Sequence, residues 1–306
     1  MLHVIESPSD HFDYFTDLSV VPRFSHVMAV GGFGAENDVE IVNLNSDGAP
    51  CFKPKQCPLK LGSTGTLIAG TPLVCEDFDS GDCYSYDSIN DQWNLMFSTN
   101  VIRYQAAGIQ LSEDQFWIIG GSTDGVWLST SELCSMVSKS CSRFVDLPEI
   151  LNNPKALKIN NKEVILLSSE NGHAWLFSLN GNYFSQLPDM LESRNKPALG
   201  LINEFEVVVA GGVDSKTSEI LDLSTKEWKY GPELPVNYDL CCASSVQYED
   251  SFIVLGGFDQ AIQNKIIKFD PVRYEWIELE QTLMNARSNF PAIIIPDYCG
   301  NPIPKL

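Results

Sequence analysis

Cysteines and histidines are the residues of this 306-residue chain that could form cross-links or bind a metal ion. Six of the nine cysteines form pairs that are six to eight residues apart, which suits disulfides across strand hairpins. The pairs are Cys51 with Cys57, Cys75 with Cys83, and Cys134 with Cys141. Free thiols are the alternative. Cys241 and Cys242 are adjacent, and on an extended strand their side chains would point to opposite faces.

Motifs for metal or enzyme chemistry are absent from the sequence. His3, His11 and His26 lie near the start of the chain and His173 stands apart from them. The sequence has no paired Cys-x-x-Cys, no nucleophile elbow, no phosphate-binding glycine loop and no His-Glu-x-x-His. We therefore expect no metal, no cofactor and a protein that is not an enzyme.

The charge balance excludes two classes of partner. The chain has 40 acidic and 20 basic residues, a formal net charge of −20, and its basic residues do not cluster. Nucleic acids and membrane surfaces are anionic, so we expect the protein to bind neither. No apolar run is long enough to span a bilayer, and residues 1–10 lack the features of a secretory signal. This favours the cytoplasm, with an extracellular location as the alternative if the paired cysteines are disulfides and the N-terminus is incomplete.

A unit of 43–48 residues repeats along the chain, and each copy contains several short β-type runs. Four copies end an apolar run with Gly-Gly and two have degenerate pairs at that point. The six positions are Gly31, Glu76, Gly120, Ser168, Gly211 and Gly256. Arg103 and Arg194 each lie 17 residues before their glycine. A period of this length with several strands per copy is typical of a β-propeller.

A tryptophan provides a further anchor. Each repeat has a Gly-Gly pair or a degenerate pair, whose position we call its station. Trp93 and Trp228 lie 17 residues after the first residue of their station, and Trp276 lies 20 residues after its own. We expect all three in the core. The motifs SYDSINDQW (85–93), ILDLSTKEW (220–228) and IKFDPVRYEW (267–276) resemble the kelch family. The resemblance covers nearly the whole chain. It implies an all-β, six-bladed kelch-type propeller with four-stranded antiparallel blades.

Domain bounds follow from the repeats. Residues 23–296 form the propeller, between a poorly defined segment 1–22 and a tail 297–306. Blade one lacks an obvious inner strand, whereas 290–295 reads as an inner strand with no blade of its own. We expect 290–295 to complete blade one and close the ring, because Arg287 repeats the arginine pattern. The competing closure uses 16–21.

Two classes of loop are the expected binding surface, since propeller loops carry function while the sheets act as scaffold. One class leads into the inner strands and the other follows the Gly-Gly pairs. The first contributes Arg103, Tyr104, Gln105, Arg194, Lys196, Tyr238, Arg287 and Asn289. The second contributes Phe33, Asp124, Asp214, Phe258 and Asp259, with Phe78 at the degenerate station.

Arginine and aromatic side chains suit recognition of an acidic protein or peptide partner. The competing interpretation is structural: each arginine could hold backbone carbonyls together, and the phenylalanines could pack between blades. Because catalytic motifs are absent, we expect a non-enzymatic interaction scaffold, and the kelch resemblance implies roles such as substrate recognition or actin binding. The alternative is a carbohydrate-active propeller enzyme such as a sugar mutarotase, whose site would use scattered loop residues. The copper-radical oxidases of similar fold need more histidines at one site than this chain offers.

Overall fold

The computed structural model describes residues 25–45, 51–235, 241–248 and 251–296. All regular elements among these residues are β-strands, and most form one of six small antiparallel sheets. No helix in this part of the chain is long and apolar enough to cross a membrane. The expected segments 1–22 and 297–306 lie outside the described residues.

Five of the six sheets have four strands each. Blade two contains β3 (Thr64–Ile68), β4 (Thr71–Cys75), β5 (Asp82–Asp87) and β6 (Gln92–Ser98); β1 (His26–Val30) and β2 (Val39–Asn43) precede it in blade one. Blade three contains β7 (Ala107–Gln110), β8 (Gln115–Ile119), β11 (Ser131–Ser135) and β12 (Ser140–Arg143), with a small ribbon of β9 (Ser122–Thr123) and β10 (Val126–Trp127). Blade four contains β13 (Lys155–Asn160), β14 (Glu163–Leu167), β15 (Ala174–Ser178) and β16 (Tyr183–Gln186).

Blades five and six follow the same plan. Blade five contains β17 (Ala198–Asn203), β18 (Glu206–Ala210), β19 (Ser218–Asp222) and β20 (Glu227–Tyr230). Blade six contains β21 (Ser244–Tyr248), β22 (Ser251–Leu255), β25 (Ile266–Asp270) and β26 (Glu275–Glu278), with a ribbon of β23 (Phe258–Asp259) and β24 (Ala261–Ile262). The last strand among the described residues is β27 (Ala292–Ile295).

The ring is closed by the C-terminal strand. β27 pairs antiparallel with β1, from His26 opposite Ile295 to Ala29 opposite Ala292, and becomes the inner strand of blade one. The six inner strands then touch in a circle, β27–β3–β7–β13–β17–β21 and back to β27. This confirms the predicted six-bladed propeller. Blade one shows three strands among the described residues, in the order β2-β1-β27.

Apolar packing lies between blades as well as within them. Each of the six buried clusters joins two neighbouring blades, and together they run around the whole ring. In one example Val208 and Ile220 of blade five pack with Phe252 and Trp276 of blade six. Because one blade cannot bury its own faces, every blade depends on both neighbours.

The tryptophan anchors are buried to different extents. Trp276 is buried, as expected, whereas Trp93 and Trp228 are half-buried and pack against the edge of a core cluster. Their indole N–H groups donate to the carbonyls of Lys55 and Pro188, at 3.0 and 2.8 Å. These two rings therefore tie the outer strand to the segment leading from the preceding blade.

Candidate binding face

Antiparallel order places the two predicted loop classes at the same end of each blade. The inner strand begins where the second strand ends, so the loop leading into the former lies beside the loop leaving the latter. Backbone bonds join the two classes directly: Phe33 pairs with Ser288, Tyr104 with Ser122, and Phe258 with Cys241. We call this surface of the ring the mouth face.

The three predicted arginines do not present their side chains on the mouth face. Arg103, Arg194 and Arg287 are 1%, 1% and 0% exposed. Arg103 donates to the carbonyls of Gly120 and Thr130, at 2.8 and 2.9 Å. The expectation of an arginine-lined docking surface is therefore corrected, and the competing structural interpretation describes what these side chains do.

The other two arginines make the same set of bonds. Arg194 donates to Gly211 O at 3.0 Å, and Arg287 donates to Gly31 O, also at 3.0 Å. The first glycine of the Gly-Gly pair, 17 residues away in two cases, is therefore the arginine's partner. This explains the fixed spacing seen in the sequence.

A buried glutamate completes each arginine site, and sequence reasoning missed all three. Arg–Glu distances are 3.3 Å to Glu132, 2.9 Å to Glu219 and 2.6 Å to Glu40. Each carboxylate also accepts backbone N–H groups from the loop that leads into its blade, as Glu219 does from Leu191. The sequence did contain a signal: each glutamate is the second residue of a third strand and directly precedes two apolar residues, in SELC, SEIL and VEIV.

Six residues with left-handed backbone surround the opening of the central channel, one from each blade. They are Gly62, Gln105, Asn153, Lys196, Cys242 and Asn289, with φ between 45° and 67°. Four backbone bonds join neighbours in this circle: Gln105 to Gly62, Gly62 to Asn289, Asn289 to Cys242, and Cys242 to Lys196. We call these residues the mouth ring. Gln105, Lys196 and Asn289, all predicted as binding residues, are brought together here.

A cavity of about 230 Å³ lies inside the mouth ring, and residues of all six inner strands or their preceding loops line it. Lys155 and Lys196 are the charged side chains among the described lining residues. Burial, together with the smaller effect of the nearby charge of Lys196, lowers the pKa of Lys155 to about 8. Burial also lowers the pKa of Lys196. Lys155 was not predicted; an inner strand that begins with lysine was its one signal.

Exposed aromatic side chains lie outside the mouth ring. Phe33, Phe78 and Phe258 are 54%, 69% and 41% exposed, so packing between blades leaves a large part of each side chain open to solvent. Phe78 also meets the ring of Tyr104 edge-on, at 5.5 Å between centroids. Tyr104, a predicted binding residue, is half-buried at the same place.

The predicted acidic residues lie in the loops that follow strand two. Asp124 and Asp214 are exposed and Asp259 is half-buried. Strand two lies outside the inner strand in every sheet, so these carboxylates lie further from the channel than the lysines. Tyr238 lies outside the described residues.

The cysteines partly follow the predicted pairs. Cys75–Cys83 and Cys134–Cys141 are disulfides between directly opposed residues of adjacent strands. Cys57 is a free, buried thiol, so the expected Cys51–Cys57 pair does not form; Cys51 is disulfide-bonded.

The adjacent cysteines do not point to opposite faces as expected. Cys241 and Cys242 are joined by a disulfide. Cys242 has φ +65°, in the left-handed region, so this stretch is not an extended strand. The linked pair forms part of the mouth ring.

His173 has a partner that the sequence did not indicate. Its Nδ1 lies 2.8 Å from Glu149 Oε1, and Trp175 Nε1 donates to the same carboxylate at 3.0 Å. This contact ties the connection between blades three and four to β15.

Comparison with known proteins supports the fold. No protein-family model matches the sequence, and the search of curated proteins found no matching relative. The solved structure described as "Structure of YjhT" is similar, with a TM-score of 0.66 and 10% sequence identity, covering 78% of this chain and 89% of that one. At this identity the likeness shows the fold alone. The class of protein is therefore a six-bladed β-propeller.

Proposed function

We propose that this propeller is a non-enzymatic interaction scaffold that binds a protein or peptide partner across the mouth face. The observation that carries the proposal is the group of exposed phenylalanines Phe33, Phe78 and Phe258 around one opening. Large aromatic rings provide contact area at low entropic cost and are enriched where binding energy concentrates. Phe33 and Phe258 are also fixed by backbone bonds to neighbouring loops, so little ordering would be needed on binding.

Affinity capture with a variant that lacks the three exposed rings, which we call the rim variant, tests this face. Phe33→Ser, Phe78→Ser and Phe258→Ser together remove the exposed rings without touching a core cluster, so the fold should persist while partner capture is lost. Phe205→Ser is the matched control, because Phe205 is 56% exposed and lies in the turn between β17 and β18, at the opposite end of the strands. Captured proteins are quantified by mass spectrometry. An identical set with the triple variant would contradict the proposed face.

The kelch family is part of the same proposal. The resemblance depends on three Trp-terminated motifs and the Gly-Gly stations, and it favours roles such as substrate recognition or actin binding. A sugar mutarotase is the second candidate, favoured by the polar cavity inside the mouth ring. NMR of anomer exchange across a panel of aldoses separates the two functions, because acceleration by the protein would defeat the non-enzymatic proposal.

The disulfides bear on the cellular compartment of the protein. Disulfides persist in oxidising compartments and are rare in the cytosol. With Cys75–Cys83 and Cys134–Cys141 bonded, we favour the extracellular alternative over the cytoplasm. Non-reducing peptide mapping of native material checks this, and free thiols at all four positions would contradict it.

A further inference from the structure

The charge inside the mouth ring differs from that of the rest of the protein. The chain carries a net charge of −20, yet the described residues lining the cavity include two lysines and no aspartate or glutamate. A cavity lined by cations attracts anions even in an acidic molecule, because a cleft lined by one sign of charge focuses the electric field there.

The two lysines have no protein partner among the described residues. Neither Lys155 nor Lys196 has a side-chain hydrogen bond or an ion pair, whereas Lys158 on the same strand donates to Leu111 O at 2.7 Å. Lys229 and Lys265 each pair with a glutamate. A half-buried ammonium without a counter-charge is unfavourable unless a ligand supplies that charge.

Polar groups next to the lysines add hydrogen-bonding capacity. Asn153 is 7% exposed, and its Oδ1 is buried and accepts no hydrogen bond. Its amide group contacts Asn195 Oδ1 at 3.4 Å. Gln105 and Asn289 stand in the same ring and meet each other at 3.4 Å. The side-chain amides of Gln105 and Asn289 therefore add donors and acceptors beside the two lysines, whereas Asn153 Oδ1 is closed off from solvent.

We propose that this cavity is a carboxylate-binding site in which Lys155 and Lys196 hold the anion. The inference rests on the proposed function, because it names the chemical group that the mouth face accepts at its centre. Two sources share this chemistry: a small hydroxy acid, and an aspartate or glutamate side chain of the bound segment. Phosphate is the competing anion, because lysine also binds it as a point charge, and the experiment below compares the two.

The lowered pKa of Lys155 predicts that ligand binding is coupled to proton uptake. A carboxylate next to Lys155 favours the charged amine and raises its pKa from about 8. Lys196 is the other charged group facing it, and no described lining carboxylate competes. Binding at pH 8 should take up protons, and affinity should fall as the pH rises through 8.

Isothermal titration of the full chain with defined probes tests the proposal. The pairs are glucuronate with glucose, and acetyl-Glu-Glu-amide with acetyl-Gln-Gln-amide; inorganic phosphate is a separate probe. We expect at least one carboxylate to bind more tightly than its neutral counterpart and more tightly than phosphate. We also expect proton uptake at pH 8, measured in buffers of different ionisation enthalpy. The carboxylate probe that binds shows whether the ligand is a small hydroxy acid or an acidic side chain of a bound segment.

Variants complete the experiment. Lys155→Met and Lys196→Met should each weaken carboxylate binding by roughly tenfold or more. Lys162→Met, an exposed lysine in the turn after the same inner strand, is the matched control and should leave binding unchanged. Failure of every carboxylate to bind, equal binding of a neutral counterpart, or unchanged binding by both lysine variants would overturn the site. Loss of capture by the rim variant would still support the mouth face.

Discussion

A buried arginine in this propeller depends on its glutamate. The side chains of Arg194 and Glu219 are both 0% exposed, and their contact is 2.9 Å. Such a pair returns little net stability, since desolvation offsets most of the attraction, but removing one partner leaves a buried charge without compensation. The arginines of blades one, three and five therefore fix the connections between blades rather than a ligand.

Arg194→Met should lower the free energy of unfolding by about 3–5 kcal/mol, because Glu219 is then a buried carboxylate without its cation. The double change Arg194→Met and Glu219→Leu should recover part of the loss. Urea unfolding midpoints measure both effects.

The matched control for that prediction is Arg143→Met. Arg143 and Asp146 form a pair at 2.7 Å, but their side chains are 67% and 57% exposed. An exposed pair of this kind contributes about 0–1 kcal/mol. Equal losses for Arg143→Met and Arg194→Met would contradict the role assigned to the buried pair.

Glu76 is a buried acid near the Thr99 hydroxyl, and neither of its carboxyl oxygens is in a well-formed hydrogen bond. It is 0% exposed, at the end of β4, with Arg103 and Glu132 of the next blade close enough to influence it. Burial raises its pKa well above the ordinary value of a glutamate, and Arg103 opposes that shift. The folded state therefore holds this proton over a pH range in which the unfolded chain has released it.

Glu76→Gln should flatten part of the pH dependence of stability. Because the pKa of Glu76 is raised in the folded state, its contribution to the free energy of unfolding is complete below pH ~4.5. That contribution is lost as the pH rises toward the pKa in the folded state. Glutamine imitates the protonated acid and removes this loss. We expect the variant to gain stability over the natural protein as the pH rises from 4 to 8, measured by thermal unfolding. Exposed Glu113→Gln should show no such trend, and a variant that is less stable throughout would contradict the assignment.

At the scale of the strand, Gly200 shows how closely the inner strands approach the next blade. A Cβ placed on Gly200 of β17 would lie 2.4 Å from the Phe252 ring of β22. The backbone there does not need a glycine for its φ, so the requirement is space alone. The glycine lets a fully buried ring fill the gap between blades five and six.

Gly200→Ala should destabilise the protein by about 1–3 kcal/mol through overpacking against Phe252. Adding Phe252→Leu should give back part of that loss, so the two changes should be non-additive in a double-mutant cycle of chemical denaturation. Strict additivity would show that Phe252 is not the obstacle.

The repeat, the blade number and the closing strand could be predicted from the sequence, because they depend on local apolar runs and on glycine and tryptophan spacing. The site was predicted only in part. Gln105, Lys196 and Asn289 were predicted because they lie in the loops that lead into the inner strands. Lys155 was missed, since an inner-strand lysine gives no sign of facing a channel until the strands form a ring.

The same limit explains the arginine correction. The position of each arginine in a loop suggested an exposed side chain. In the folded blade, however, the loop lies over two backbone carbonyls and a glutamate that come from other parts of the chain. Only the assembled blade shows that a guanidinium group at this position turns inward.

At the scale of the whole ring, stability should depend on the seam between β27 and β1. Ile293 is 2% exposed and belongs to the cluster shared by blades one and two, whereas Ile294 is half-buried. Ile293→Asp should cost roughly 4 kcal/mol or more, because it places an unpaired carboxylate in the core. Ile294→Asp should cost much less. Equal unfolding midpoints for the two variants would argue against a seam at β27.

Synthesis order gives the closing strand a further consequence. β1 leaves the ribosome before the strands of the other five blades and β27 leaves after them, so blade one remains incomplete while those blades are made. Throughout that time β1 keeps an unpaired edge beside apolar surface, which is the kind of edge that pairs with other chains. A nascent chain that stalls before residue 292 is therefore the form most prone to aggregate, and chaperone protection matters most in that interval.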